Sequence, residues 1–142
     1  MCIFCKIVKG EIPSHKIYED DSYIAILDVS PVVEGHTLLI PKFHVETIFG
    51  LTDEQARDRG YAELQVVKKL EKVYGANIEI RNTSGKGASQ EVMHLHYHLI
   101  PRKIGDRLWD GDKSRNVLDK SSGFERLKMT KEELEVIVRR LN

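Results

Sequence analysis

The sequence predicts an α+β fold built on an antiparallel sheet. Two observations carry this: five short apolar segments read as strands, and one long one-sided helix stands among them without regular strand–helix alternation. The first two strands are His15–Glu19 and Tyr23–Leu27, and Asp20-Asp21-Ser22 between them has the composition of a hairpin turn. His36–Pro41 follows, rich in β-branched and leucine side chains. The long helix begins after Thr52, whose hydroxyl can cap the first turn while Gln55 reaches back, and Asp53 and Glu54 suit the positive helix end. Apolar residues at Ala56, Tyr61, Leu64, Val67, Leu70, Val73 and Tyr74 supply its buried face, and Gly75 ends it. Gly60 inside it weakens the helix by about 1 kcal/mol relative to Ala, and close packing is one reason for its presence. Ile78–Asn82 and His94–Ile100 complete the strands. The chain after Pro101 is polar and irregular to about Gly123, and Lys131–Leu141 then forms a short helix capped by Thr130. Residues 1–110 form the principal domain and 111–142 a C-terminal extension ending in that helix.

A chain of 142 residues suits one domain, and 41% hydrophobic against 31% charged residues provides a core and excludes intrinsic disorder. Lys plus Arg number 22 and Asp plus Glu 22; a zero balance argues against dedicated binding of nucleic acid or an anionic membrane. No apolar run of about 18 residues is present and the N-terminus lacks a signal peptide's apolar stretch, so a cytoplasmic location is expected. In a reducing compartment the Cys2-x-x-Cys5 pair is metal-binding, redox-active or simply reduced, and a disulfide is disfavoured.

The chemistry concentrates in His94-Leu95-His96-Tyr97-His98-Leu99-Ile100. Strand side chains alternate, so the three imidazoles share one face while Leu95, Tyr97 and Leu99 share the other. Imidazoles about 6–7 Å apart either bind a metal, or one acts as nucleophile or base while its neighbours orient it. Half of the chain's 6 histidines lie on this one segment, which is poorly explained by ordinary surface or core hydrogen bonding. Just before them, Gly85-Lys86-Gly87-Ala88-Ser89-Gln90 is a small-residue loop of the kind whose amides cradle phosphate, and it carries no Walker pattern.

These residues, with Asp28-Val29-Ser30-Pro31, Gly35-His36-Thr37-Leu38-Leu39-Ile40-Pro41-Lys42-x-His44 and Cys2-Ile3-Phe4-Cys5, resemble the histidine triad (HIT) family, in its prokaryotic Hint-type branch, over roughly residues 1–105. The resemblance implies a homodimer with a HIT-like fold, each subunit having a five-stranded antiparallel sheet, one long helix and a short helix. It implies a purine nucleotide substrate, such as an AMP-containing compound, cleaved at the α-phosphate. By carry-over His96 is the nucleophile that becomes nucleotidylated, His98 contacts the α-phosphate and assists proton delivery, and His36 lies behind the nucleophile as its orienting partner. Asp28 matches the ribose ligand, and Val29 belongs to the surroundings of the base. Ser89, Gln90 and Glu91 fall at phosphate-loop positions, and either Asn82 or Thr83 supplies a further contact. Ser89 stands where the family often has Gly, and Glu91 where several eukaryotic members have Ser or Thr. The tail from Pro101 has a faint likeness to Fhit-type dinucleoside polyphosphate hydrolases.

The same resemblance, extended to related galactose-1-phosphate uridylyltransferases, implies a structural zinc site made of Cys2, Cys5, His44 and His94, with no catalytic metal required. Two rival classes remain at this level. One is a metal-dependent hydrolase whose strand histidines hold a catalytic ion. The other is a non-catalytic purine nucleotide-binding protein.

Overall fold

The protein is described by a computed structural model over residues 1–110, 113–114 and 124–142. Its elements in order are α1 (Ile3–Val8), β1 (Lys16–Glu19), β2 (Tyr23–Leu27), β3 (Thr37–Pro41), α2 (Asp53–Tyr74), β4 (Ile78–Arg81), β5 (Tyr97–Pro101), the short pair β6 (Trp109–Asp110) and β7 (Lys113–Ser114), and α3 (Lys131–Leu141). The expected polar, irregular stretch to Gly123 lies partly outside the described residues. β1 to β5 form one antiparallel sheet in the order β1-β2-β3-β5-β4. This is the α+β architecture expected from the pattern.

Alternation along the strands sends side chains to two apolar layers. Tyr23, Ala25, Leu27, Leu39, Tyr97 and Leu99 pack with Ala62, Val66 and Leu70 of α2 and with Leu134, Ile137 and Leu141 of α3. Ile24, Ile26, Leu38 and Ile40 point to the opposite side and meet Phe4 of α1. Burying a side chain of this size stabilises the fold by roughly 1.5–3 kcal/mol, so both layers matter. The C-terminal helix is thereby part of the same core as the long helix.

The capping of α2 follows the sequence pattern: the Thr52 hydroxyl accepts from Gln55 N–H at 3.1 Å and Gln55 Oε1 accepts from Thr52 N–H at 2.9 Å. Its buried stripe, however, is Ala62, Val66 and Leu70, while Tyr61 and Leu64 are 62% and 48% exposed. The long apolar side chains at Tyr61 and Leu64 drew the predicted face too wide. Gly60 meets nothing within 4 Å of where a Cβ would stand, so close packing does not explain it.

Two further differences bear on function. Residues 3–8 form α1, a short helix that the local pattern does not predict. The expected strand His94–Ile100 is regular only from Tyr97 onward. The cause lies at Pro41, whose carbonyl accepts from the His94 ring at 3.0 Å, while Leu95 N–H turns to Val45 O at 2.7 Å. A side chain has taken a carbonyl on β3, and the backbone pairs with the neighbouring loop instead.

Candidate active site

The α1 side of the sheet carries the histidines in sequence along one face. Phe4 meets the rings of His94 and His96 edge-on, with centroids 5.8 and 5.2 Å away, and the His96 and His98 rings are 5.2 Å apart. A cavity of about 370 Å³ opens over His96 and His98. Its wall includes Asp28, Thr83, Ser89 and Glu91, together with Phe4, Leu38, Arg81 and Arg126. That volume is in the range of small-ligand sites, roughly 300–1,000 Å³.

Backbone groups set the tautomer of each ring. A carbonyl can only accept, so His96, whose Nδ1 lies 2.8 Å from His94 O, carries its proton on Nδ1. Its Nε2 is left with the lone pair. Val32 N–H donates to His36 Nδ1 at 3.1 Å, so neutral His36 carries its proton on Nε2 and donates it to His98 Nδ1 at 2.8 Å. His98 therefore holds its own proton on Nε2. The cavity thus contains one nucleophilic imidazole nitrogen beside one imidazole N–H donor.

Burial keeps these rings neutral. It holds His36 down to about 3, and burial with the facing His36 and His96 rings holds His98 down to about 2. His96 is lowered by burial as well, against the opposing pull of its bond to His94 O and of Asp28 and Glu91. Asp28 moves upward because it is removed from water, and Ser30 N–H and Arg126 act against that rise.

The geometry changes the expected place of His36. It stands on His98 rather than behind His96, whose orientation comes from the His94 carbonyl. The β3–β5 register opposes Leu38 to His98, which puts the His36 ring diagonally across from His98. Gly35 makes this possible: its φ is +87°, and a Cβ there would come 2.5 Å from the Tyr74 ring.

Two expected ligand positions are structural supports. Gln90 is 5% exposed; its amide nitrogen donates to Glu46 O at 2.6 Å and Val92 O at 2.9 Å, and its Oε1 accepts from Gly85 N–H at 2.7 Å. All of these bonds go to backbone, so Gln90 braces the loop instead of facing the cavity. Asn82 donates to His96 O at 3.0 Å and accepts from Ser84, leaving Thr83 as the member of that pair on the cavity wall. Ser89 has φ +68°, a left-handed conformation that accounts physically for a glycine preference at that position. Val29 is 60% exposed and does not line the cavity, although its neighbours Asp28 and Ser30 do. Phe4, Arg81 and Arg126 were not found from sequence. Arg126 reaches Asp28 across 98 positions, and no local pattern signals that contact.

At the other end of the histidine row, Cys2, Cys5, His44 and His94 bring one ligand atom each within 4.8 Å of one another. Cys2 Sγ is 3.3 Å from His94 Nδ1, Cys5 Sγ is 3.3 Å from His44 Nδ1, and the two Nδ1 atoms are 3.2 Å apart. Bonds of roughly 2.0–2.1 Å to nitrogen and 2.3 Å to sulfur imply tetrahedral edges of about 3.3 Å for N–N and 3.6 Å for N–S. The donor set fits such an ion. His94 Nε2–H is committed to Pro41 O, which leaves Nδ1 as the ligating nitrogen. Asp28, His36 and His98 also approach within the same limit. There the His36 Nε2 proton is required by the Val32 contact, so that group is better described as a hydrogen-bonded relay.

Residues 9–105 match the HIT domain. The chain belongs to the histidine triad family. Among similar HIT proteins, the protein hit of Bacillus subtilis is 43% identical over 102 residues, covering 71% of this chain and 70% of that protein. An adenosine 5'-monophosphoramidase of Schizosaccharomyces pombe is also 43% identical over 102 residues, covering 71% and 74%. A zinc-bound histidine triad family protein from Mycobacterium smegmatis superposes with a TM-score of 0.72 at 30% identity, covering 99% of this chain and 94% of that one. The HIT-like sheet and helices described above are those of this family's solved structures. No helix among the described residues is long and apolar enough to cross a membrane.

Proposed function

We propose that this HIT protein is a hydrolase that cleaves nucleoside phosphoramidates, or related adenylylated compounds, at the α-phosphate through a nucleotide carried on His96. The observation that carries this reading is the paired tautomer state: a lone pair on His96 Nε2 beside an N–H on His98 Nε2. The S. pombe relative, an adenosine 5'-monophosphoramidase by name, supports the substrate class.

In the first step His96 Nε2 forms a bond to the α-phosphorus and the bond to the leaving group breaks. His96 keeps its Nδ1 proton on the His94 carbonyl, so the adduct is an N-phosphoryl imidazolium. That positive charge makes the ring a good leaving group for the second step. Water then attacks phosphorus and gives its proton to the released amine or to solvent, the electron pair of the N–P bond returns to Nε2, and the nucleoside monophosphate (AMP or GMP) departs.

Neutral His98 has a single proton and offers it as a hydrogen bond to a phosphoryl oxygen, with loop amides near Ser89 sharing the developing charge. The His36 N–H already occupies His98 Nδ1, so His98 holds no second proton to give, and an oxygen leaving group would have to take its proton from water. An N-protonated phosphoramidate avoids this need, because its amine leaves neutral. This favours nitrogen leaving groups. A dinucleoside polyphosphate is the second reading, supported by Arg81, which is opposite His98 on β4 and lines the same cavity.

Asp28 is assigned to the ribose hydroxyls, Val29 to the vicinity of the base, and Thr83, Ser89 and Glu91 to the phosphate end. Zinc held by Cys2, Cys5, His44 and His94 would be structural, since four protein ligands leave no open position. It would tie α1, and with it Phe4, to the histidine row. Free thiols at that site suit a reducing, cytoplasmic setting. Exposed Tyr61 and Leu64 on α2 and Ile80 on β4 support a homodimer.

The test is His96→Asn assayed against a panel of phosphoramidates, acyl adenylates and dinucleoside polyphosphates. Hydrolysis should vanish while AMP binding persists; retained turnover would remove His96 from the role.

A further inference from the structure

The segment leading into α3 lies against the loop 28–33. Leu127 N–H donates to Pro31 O at 2.8 Å. The Arg107 guanidinium sits 4.6 Å from the Phe124 ring centroid and donates to Val32 O at 3.0 Å and to Glu125 O at 2.5 Å. Phe124 itself packs on Val32, Ile100 and Leu108. These contacts carry Arg126 to the cavity wall, where its Nη1 donates to Asp28 Oδ2 and Ser30 O, both at 3.1 Å.

Asp28 is poorly placed to hold a charge unaided. Its side chain is 13% exposed, and removal from water pushes its carboxyl up. His36 Nε2 lies 3.7 Å away, but that ring is neutral and its proton is already given to His98. Ser30 N–H donates to Oδ1 at 2.8 Å. An ionised carboxylate offers about four acceptor sites, so the contacts with Ser30 and Arg126 leave capacity for two hydroxyl groups. A protonated Asp28 would lose part of that capacity.

We infer that Arg126 is a positioning residue for the ribose: it holds the Asp28 carboxylate as the charged acceptor of the diol, and so sets the preference for ribonucleotides over deoxyribonucleotides. The inference rests on the assignment of Asp28 to the ribose. The C-terminal segment is on this account one wall of the nucleotide site. Because the diol is remote from the reacting phosphorus, the contact acts on ground state and transition state alike and falls on KM rather than kcat.

The experiment measures kcat and KM for adenosine 5'-phosphoramidate and its 2'-deoxy counterpart in wild type, Arg126→Gln, Arg126→Lys, Arg107→Gln and Asp28→Asn, with thermal unfolding followed for each. Arg126→Gln should raise KM for the ribonucleotide about 10-fold, raise that of the deoxy substrate, which keeps one of the two hydroxyls, by clearly less, and leave kcat close to wild type. Arg126→Lys should restore most of the discrimination, and Arg107→Gln, which loosens the segment but keeps the cation, should retain it. Equal losses on both substrates in Arg126→Gln would make Arg126 a mere staple and overturn the inference. Discrimination kept in Arg126→Gln but lost in Asp28→Asn would overturn it while sparing the Asp28 assignment. Discrimination kept in Asp28→Asn would show that the ribose assignment itself had failed. If Arg126→Gln loses its cooperative transition, Arg126→Met, which keeps the apolar stem, replaces it in the same comparison.

Discussion

Acidifying the protein from about pH 7 to about pH 4.5 charges histidines in the unfolded chain well before it charges the pair beside the cavity. His36 is 1% exposed and held down to about 3, and His98 is held down to about 2, both chiefly by burial, against an ordinary value of 6.5. Across the window from 6.5 down to about 3 the unfolded chain binds more protons than the folded one. Stability is therefore complete above pH 6.5 and falls as the pH falls through that window. Each ring contributes on the order of 1 kcal/mol per pH unit. Two units of acidification thus remove roughly 4–5 kcal/mol through the pair, a large share of the ~5–15 kcal/mol that holds a domain folded. Glu19 and Asp106, whose carboxyls are held low, act with the same sign over a lower window. Urea unfolding of wild type and His36→Asn at a series of pH values isolates the effect. An asparagine amide oxygen keeps an acceptor for Val32 at the Nδ1 position and does not titrate, while the shorter side chain gives up the contact with His98. The wild-type curve should fall more steeply, by on the order of 1 kcal/mol per pH unit. Parallel curves, or a ring titration near 6.5 at either histidine, would refute the buried neutral pair.

Other perturbations separate the remaining parts. Purified protein should contain about one zinc per chain, and Cys2→Ser should lower both metal content and melting temperature; clearly sub-stoichiometric zinc in wild type after metal addition contradicts the site. Gln90→Ala removes three hydrogen bonds to backbone and should lose about 2–4 kcal/mol in denaturant unfolding; a loss below about 0.5 kcal/mol would deny its bracing role. Ser89→Val places a β-branched side chain at a left-handed position and should cost about 1–2 kcal/mol, whereas Ser89→Gly should stay within about 1 kcal/mol of wild type. Equal stabilities for those two variants would show that the loop relaxes around residue 89.

Much of this arrangement was legible because its signals are local. The Thr52–Gln55 capping box, the alternation of Leu95, Tyr97 and Leu99 against the histidines, and the strand segments each depend on neighbours within a few positions. The spacing of Cys2 and Cys5 left metal binding open beside redox and reduced-thiol readings, and the structure brings them together with His44 and His94, the partners that the resemblance implied. What stayed hidden depends on long-range choices. The Pro41 carbonyl can be taken by a ring or by a backbone amide, and only the folded chain decides that His94 takes it. Gln90 and Asn82 are polar residues beside a site, and sequence does not distinguish a ligand from a brace until their partners are known to be backbone groups. Arg126 follows a segment without periodicity, so its contact with Asp28 had no signal in the residues around it. Tyr61 and Leu64 show the converse error, since apolar character at helical spacing does not say whether the core covers it.

The most direct measurement is rapid acid-free quenching of turnover with substrate labelled at the α-phosphate, followed by mapping of the label along the chain. The account predicts transient label on Nε2 of His96, appearing no more slowly than the leaving group is released and absent from His96→Asn. Product release on the same timescale with no label ever residing on that ring would contradict it.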